Sequence, residues 1–261
     1  MLKSLFLYRY FILSSVKNEF KARFARSKLG AIWMILNPLA QVLIYALILS
    51  AVLKAKLPGI DSQYAYAIYL ISGMLAWSLF FDITSRSLNI FIDNANLIKK
   101  VAFPKITLPL ILIGSSMINF FLLFICSVGI FIILGHISLD YISWLPILVI
   151  ITLIMAIGIG LFLGIINVFI RDVGQIMSIV LQFWFWLTPV VYSLSMMPEK
   201  YHQYILLNPM AGIVVCYQNI LAYNKPPEID LLIYPTCIGI TMIGLSLYLY
   251  KKANEDMADV L

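Results

Sequence analysis

The sequence predicts an all-α integral membrane protein: six transmembrane helices, an N-terminal amphipathic interfacial helix, and short re-entrant or interfacial helices before the last span. Three observations carry this. The 261 residues are 62% hydrophobic and only 11% charged, whereas a soluble domain carries about 25% charged residues. Apolar runs long enough to cross the hydrocarbon, which takes roughly 20 residues, recur along the chain. The basic residues gather at the ends of those runs. Such a composition excludes a disordered chain and a disulfide-stapled secreted module. The placing of the charge excludes a nucleic-acid-binding domain despite a net charge of +6. Cys126, Cys216 and Cys237 stand singly in apolar surroundings, so neither a disulfide framework nor a metal site is indicated.

Residues 1–30 read as a cytoplasmic amphipathic segment. Val16, Phe20 and Phe24 recur every four residues with Lys17, Lys21, Arg23 and Arg26 among them, the pattern of a basic helix lying on a membrane surface. Arg9 interrupts the only apolar core a cleaved signal could use, so none is expected. The body, residues 31–250, divides into spans at about 31–53, 65–81, 106–134, 144–170, 175–192 and 231–250. The second is short but edged with Trp and Tyr, as interfacial anchors are. Asn208-Pro209 and Gly212 break the apolar stretch 204–221, so 193–228 is read as an outer segment rather than a seventh crossing. Residues 251–261 form a cytoplasmic tail.

Loop charges fix the orientation. With both termini inside, fourteen of the eighteen Lys and Arg residues are cytoplasmic: seven before Ala31, four from Arg86 to Lys105, Arg171, and Lys251 with Lys252. Lys54, Lys56, Lys200 and Lys225 remain outside, which agrees with the positive-inside rule. On the fourth span Ala156, Gly160 and Gly164 form a small-residue stripe that admits a close helix neighbour. Arg171-Asp172 reads as a tight structural turn between the fourth and fifth spans.

As drawn, the spans hold no ionisable residue, which argues against a proton- or ion-driven transporter. The chain has no GxxxxGK[ST] loop and no Gly-Lys pair, so it does not bind ATP by that route. Energy for uphill transport would come from another chain. What the spans offer instead is neutral polarity and rings: Asn37 and Gln41 at i, i+4 in the first, and Gln182, Phe183, Trp184, Phe185, Trp186 and Thr188 in the fifth. Amides, hydroxyls and ring faces suit a neutral, hydroxyl-rich cargo such as sugar. The same rings equally suit a lipid-facing belt. On a helix Phe183 and Trp186 share a face, while Trp184 and Phe185 point elsewhere.

Four stretches in order carry a family resemblance: KARFARSKLGAIWMILNPLAQVLIY (21–45), NANLIKKVAFPKITLPL (94–110), LGIINVFIRDVGQIMSIVLQFWFWLTPVVY (163–192) and LLNPMAGIVVCYQNIL (206–221). Together they resemble the permease subunits of type-2 ABC exporters for cell-envelope polysaccharide, and the ending KKANEDMADVL (251–261) is most similar to the O-antigen exporters. The resemblance implies a multi-pass inner-membrane homodimer completed by two copies of a cytoplasmic ATPase. It implies a lipid-linked polysaccharide cargo carried to the periplasmic side. This chain would bind no cofactor, with ATP and magnesium held by the partner, and it would not itself be an enzyme.

On that resemblance, Asn94, Leu97, Ile98, Lys99, Lys100, Phe103 and Pro104 are the candidate ATPase-docking segment: a short helix with apolar knobs, ended by a proline that lacks an amide donor. Arg23, Arg26 and Lys28, at headgroup depth, are candidates for the lipid diphosphate. General attraction to anionic lipid accounts for the same three residues. Other cargoes stay open: capsular polysaccharide, teichoic acid, or a small molecule or drug. A membrane enzyme would need clustered acid–base residues, and His136 and His202 fall in separate outer loops.

Overall fold

The computed structural model describes residues 8–24, 32–44, 64–100, 107–136, 140–253 and 256–260. The regular elements among them are helices: α1 (Arg9–Phe24), α2 (Trp33–Ile44), α3 (Ala65–Asp93), α4 (Ala95–Lys100), α5 (Thr107–Ile133), α6 (Leu145–Phe169), α7 (Asp172–Leu187), α8 (Glu199–Leu206), α9 (Pro209–Leu221), α10 (Ile229–Ala253) and α11 (Asp256–Val260). Helical turns of 3-10 type precede α6 at Ile142–Trp144 and follow α7 at Leu194–Met196.

The packing centre is the pair α3 and α6, with α10 on the far side of α6. Small residues permit both contacts. A Cβ added at Gly160 would lie 2.6 Å from that of Ser87 on α3, so the stripe predicted on this helix is filled by a neighbour. On another face, a Cβ at Gly158 would lie 2.6 Å from the carbonyl oxygen of Gly239 on α10. Ser246 then donates to the Gly158 carbonyl at 3.1 Å. These helices touch backbone to backbone.

Among the described residues, four helical segments are long and apolar enough to cross a membrane: Ala65–Asp93, Thr107–Ile133, Ile142–Phe169 and Ile229–Ala253. They match the sequence-drawn spans with one extension. The apolar run of the second span ends at Phe81, ahead of Asp82 and Arg86, yet α3 continues to Asp93, 29 residues in all. Those two side chains sit at i, i+4 and pair at 3.7 Å, so the helix carries its own counter-charge. The first span is described only over Trp33–Ile44, the rest of 31–53 lying outside the described residues.

The fifth span needs correction. Its helix, α7, starts at Asp172 and stops at Leu187 after 16 residues, roughly 24 Å at 1.5 Å per residue. Pro189 is the physical reason: it disfavours helical backbone at the residue before it, and Thr188 is extended with ψ 137°. The chain then turns through Thr188–Tyr192. The turn from α6 into α7 also differs from expectation. Arg171 and Asp172 are exposed, and Asn167 holds the turn. Its amide donates to the Leu88 carbonyl at 2.9 Å and its oxygen accepts the Gly174 N–H at 2.8 Å.

Beyond the turn, α8 and α9 meet at a bend of 111°. Asn208 sits at the bend and caps α9, its Oδ1 accepting the Met210 N–H at 3.0 Å. Pro209 occupies the first helical position, where the missing N–H costs nothing. Almost all of α9 is buried against α3, α6 and α10. At the same end Gly135, with φ +73°, closes α5 while the His136 N–H reaches the Phe131 carbonyl at 2.9 Å. At the other end α1 packs on α5, with Val16 buried where Gly114 leaves room.

Candidate functional site

The rings of α7 divide as the helical period predicts. Phe183 and Trp186 are 67% and 65% exposed on one face, with Gln182 also exposed. Trp184 and Phe185 turn inward, and Thr188 is buried. Their partners come from α3: Phe80 lies 5.2 Å from Trp184, edge to face, and Trp77 lies 5.5 Å from Phe185. Such pairs contribute about 0.5–1.5 kcal/mol each beyond area burial. Sequence reading missed Trp77 and Phe80 in this role, although their i, i+3 spacing marks one helix face. The candidate channel set is therefore two sets, one outward (Gln182, Phe183, Trp186) and one packed (Trp184, Phe185, Thr188).

The outward face continues with Ile176, Ile179, Val180 and Leu187, and Leu181 is the only α7 residue fully buried. Asn37 on α2 is exposed too. The side chain of Gln41 lies outside the described residues.

Polar groups anchor the packed side of α7. Trp184 donates its indole N–H to Asn208 at 2.6 Å, and Asn208 donates to the Thr188 hydroxyl at 2.9 Å. The following turn is buried, so its carbonyls need donors. Tyr66 donates to the Val191 carbonyl at 2.6 Å, Tyr69 to that of Tyr192 at 2.9 Å, and Gln218 to that of Pro189 at 2.9 Å. Gly73 leaves space for the Gln218 amide, since a Cβ there would lie 2.7 Å from its nitrogen.

At the opposite end of the bundle, four of the docking candidates, Leu97, Ile98, Lys99 and Lys100, lie on a short helix. Asn94 closes α3, donating to the Ile90 carbonyl at 2.8 Å, and Ala95–Lys100 form α4. Leu97 and Ile98 are half-buried against the chain's own core, where α11 also packs. Asn96 and Lys99 face outward. The side chain of Lys100 and the whole of Phe103 and Pro104 lie outside the described residues, as do the side chain of Arg23 and the whole of Arg26 and Lys28.

Arg86 is the residue whose position the sequence reading did not foresee. Counted there with a basic loop, it lies inside α3 and joins three helices. It donates to Glu19 of α1, to Ser115 at 2.9 Å and to Ser116 at 3.1 Å of α5, and pairs with Asp82. The available signal was its i, i+4 spacing from Asp82 within one uninterrupted helical period. Among the described residues, no group of acids, cysteines or histidines could hold a metal. His136 and His202 instead bond the carbonyls of Leu221 and Met197, each at 3.0 Å.

Known proteins similar to this chain share nearly its full length. It is 29% identical over 261 residues to the O-antigen export system permease protein RfbA of Klebsiella pneumoniae, covering 97% of this chain and 96% of that one. The protein of the same name from Myxococcus xanthus is 27% identical over 265 residues, covering 99% and 98%. The polysialic acid transport protein KpsM of Escherichia coli is more distant, 22% identical with 92% of each chain covered. Residues 10–221, most of the helical body just described, match the membrane family of ABC-2 type transporters, and the chain belongs to that family.

Proposed function

We propose that this chain is the membrane-spanning subunit of an ATP-driven exporter that moves lipid-linked O-antigen polysaccharide across the bacterial inner membrane to the periplasmic side. The observation that carries the reading is end-to-end similarity to permeases bearing that name. Two copies form the membrane unit and two copies of a cytoplasmic ABC ATPase drive it. Six spans with both termini cytoplasmic follow from the distribution of Lys and Arg. In this arrangement α1 lies on the inner surface and the bent pair α8–α9 re-enters from the outer one. Residues 1–30, 31–250 and 251–261 then act as entry segment, translocation body and tail.

The outward face of α7, with Phe183, Trp186 and Gln182, joins Asn37 and Gln41 in lining the glycan path. Trp184, Phe185 and Thr188 hold that face in place from behind. Asn94, Leu97, Ile98, Lys99, Lys100, Phe103 and Pro104 form the ATPase contact, with Lys99 meeting the partner directly. Arg23, Arg26 and Lys28 meet the diphosphate of the lipid carrier.

Deleting the gene tests this. The surface should lose its O-polysaccharide while lipid-linked glycan accumulates inside the cell. An unchanged surface polysaccharide refutes the reading. The similarity to KpsM favours a second cargo, capsular polysaccharide. Loss of capsule with O-polysaccharide intact would select it.

A further inference from the structure

Between α1 and α3 lies an open cavity of about 670 Å³, within the ~300–1,000 Å³ that ligand sites occupy. Two polar stripes face each other across it. On α1 they are Ser15, Asn18 and Glu19, with the Phe11 ring one turn earlier; on α3 they are Ser85, Arg86, Asn89 and Asp93. Both sets recur at helical spacing, so each helix turns one polar face to the gap. Leu108, Ile111 and Leu112 of α5 make an apolar floor.

Several wall groups are fixed from behind, with hydrogen-bonding capacity left over. Arg86 is held by Glu19, Ser115 and Ser116. Asn89 accepts the Asn167 amide on its oxygen at 3.1 Å, which leaves its own N–H groups. Asn94 spends its N–H on the Ile90 carbonyl and keeps its oxygen. Asn18 and Asp93 make no hydrogen bond among the described residues. Preset donors and acceptors thus stand side by side.

Charge selects the ligand. Arg86 is already balanced by Glu19 and Asp82 and is the one cation among the described residues lining the cavity, so an added phosphate would meet Asp93 with no second described cation beside it. The acids do not form a metal-holding group. What fits is a neutral ligand dense in hydroxyls, since each hydroxyl both donates and accepts. Planar amides and carboxylates can bridge neighbouring hydroxyls.

We propose that this cavity is a saccharide-binding subsite, which holds sugar units of the cargo beside the α4 docking helix, away from the α7 path. The proposal rests on the export reading above. The test uses the full-length permease in nanodiscs and, as probe, short oligosaccharides released by mild acid from the host's own surface polysaccharide. Binding is followed by saturation-transfer NMR and calorimetry. The Asn18→Leu/Asp93→Leu protein should bind at least about tenfold more weakly. Surface polysaccharide should fall while membrane abundance of the permease holds. Should the double variant be lost from the membrane, Asp93→Ala alone, at an exposed position, carries the same test. Equal binding by native and variant proteins overturns the subsite, as does absence of binding to the native protein. Displacement of the probe by glycerol-headgroup lipid but not by excess unlabelled oligosaccharide also overturns it, in favour of a lipid. If gene deletion abolishes surface polysaccharide but the variants bind and export normally, the subsite alone fails. If deletion leaves the polysaccharide intact, the export reading fails first.

Discussion

Trp184 on α7 donates its indole N–H to Oδ1 of Asn208, 2.6 Å away at the bend between α8 and α9. The same oxygen caps α9 through Met210, and the amide nitrogen of Asn208 reaches the Thr188 hydroxyl at 2.9 Å and the Leu187 carbonyl at 3.3 Å. One small side chain ties the end of the aromatic helix to the start of the buried one.

Replacing it should therefore loosen both. Asn208→Ala removes a cap worth about 1 kcal/mol and strands a half-buried indole N–H at about 1–3 kcal/mol. At roughly 2–4 °C for each kcal/mol in a chain of this size, the unfolding midpoint in detergent should drop by several degrees. Asn208→Asp should drop it less, because a carboxylate still accepts both N–H groups but cannot donate to Thr188. Intrinsic-fluorescence thermal scans measure this, and indistinguishable midpoints for all three proteins contradict the tie.

The two ring pairs should separate stability from transport. Trp184→Leu or Phe185→Leu breaks contacts with Phe80 or Trp77 and should lower membrane abundance and thermal stability. Phe183→Leu with Trp186→Leu removes one ring contact, that of Trp186 with Phe185 at 5.4 Å, and otherwise touches the exposed face, so stability should fall less than with either packed ring while surface polysaccharide declines. Normal export from the second protein at normal abundance would return that face to lipid.

The coupling surface makes a similar division. Lys99 is exposed, so Lys99→Glu should weaken co-purification of the ATPase and reduce export without altering permease levels. Leu97→Asp places a charge against the chain's own core and should cut abundance as well. Full ATPase recovery with the Lys99→Glu protein removes that residue from the contact.

Topology is open to direct labelling. After Cys126, Cys216 and Cys237 are replaced, a single cysteine at Lys200 should react with an impermeant maleimide in spheroplasts, and one at Lys252 should react only after lysis. Reaction at Lys252 in intact spheroplasts would defeat the six-span arrangement.

Much of the helical layout was legible because apolar length alone specifies a spanning helix. The runs at 106–134, 144–170 and 231–250 coincide with α5, α6 and α10 within a few residues. Hydropathy failed where a charge is neutralised inside the protein: Asp82 and Arg86 looked like a span ending, although partners on α1 and α5 let α3 run past them. It also failed at Thr188, where a local proline effect overrides an unbroken apolar run. The faces of α7 were readable from its period. That Trp184 and Phe185 would pack on Trp77 and Phe80 was not, because no periodicity within one helix names its neighbour. Asn208 was seen only as a helix breaker, since its remaining bonds reach residues some twenty positions earlier.

The buried turn at Thr188–Tyr192 has a consequence for biosynthesis. Its donors on α3, Tyr66 and Tyr69, leave the ribosome long before the turn, but Gln218 follows Pro189 by 29 residues. At synthesis rates of roughly 5–20 residues per second, the Pro189 carbonyl waits on the order of seconds for that partner, and until then it competes with the Tyr192 carbonyl for the single hydroxyl proton of Tyr69, 3.3 Å from one and 2.9 Å from the other. An unpaired carbonyl inside an apolar environment costs about 1–3 kcal/mol, so during that interval the turn is held most cheaply at the membrane surface. Only once α9 is made can the end of α7 settle to its final depth, and the last stage of insertion is thereby timed by a glutamine.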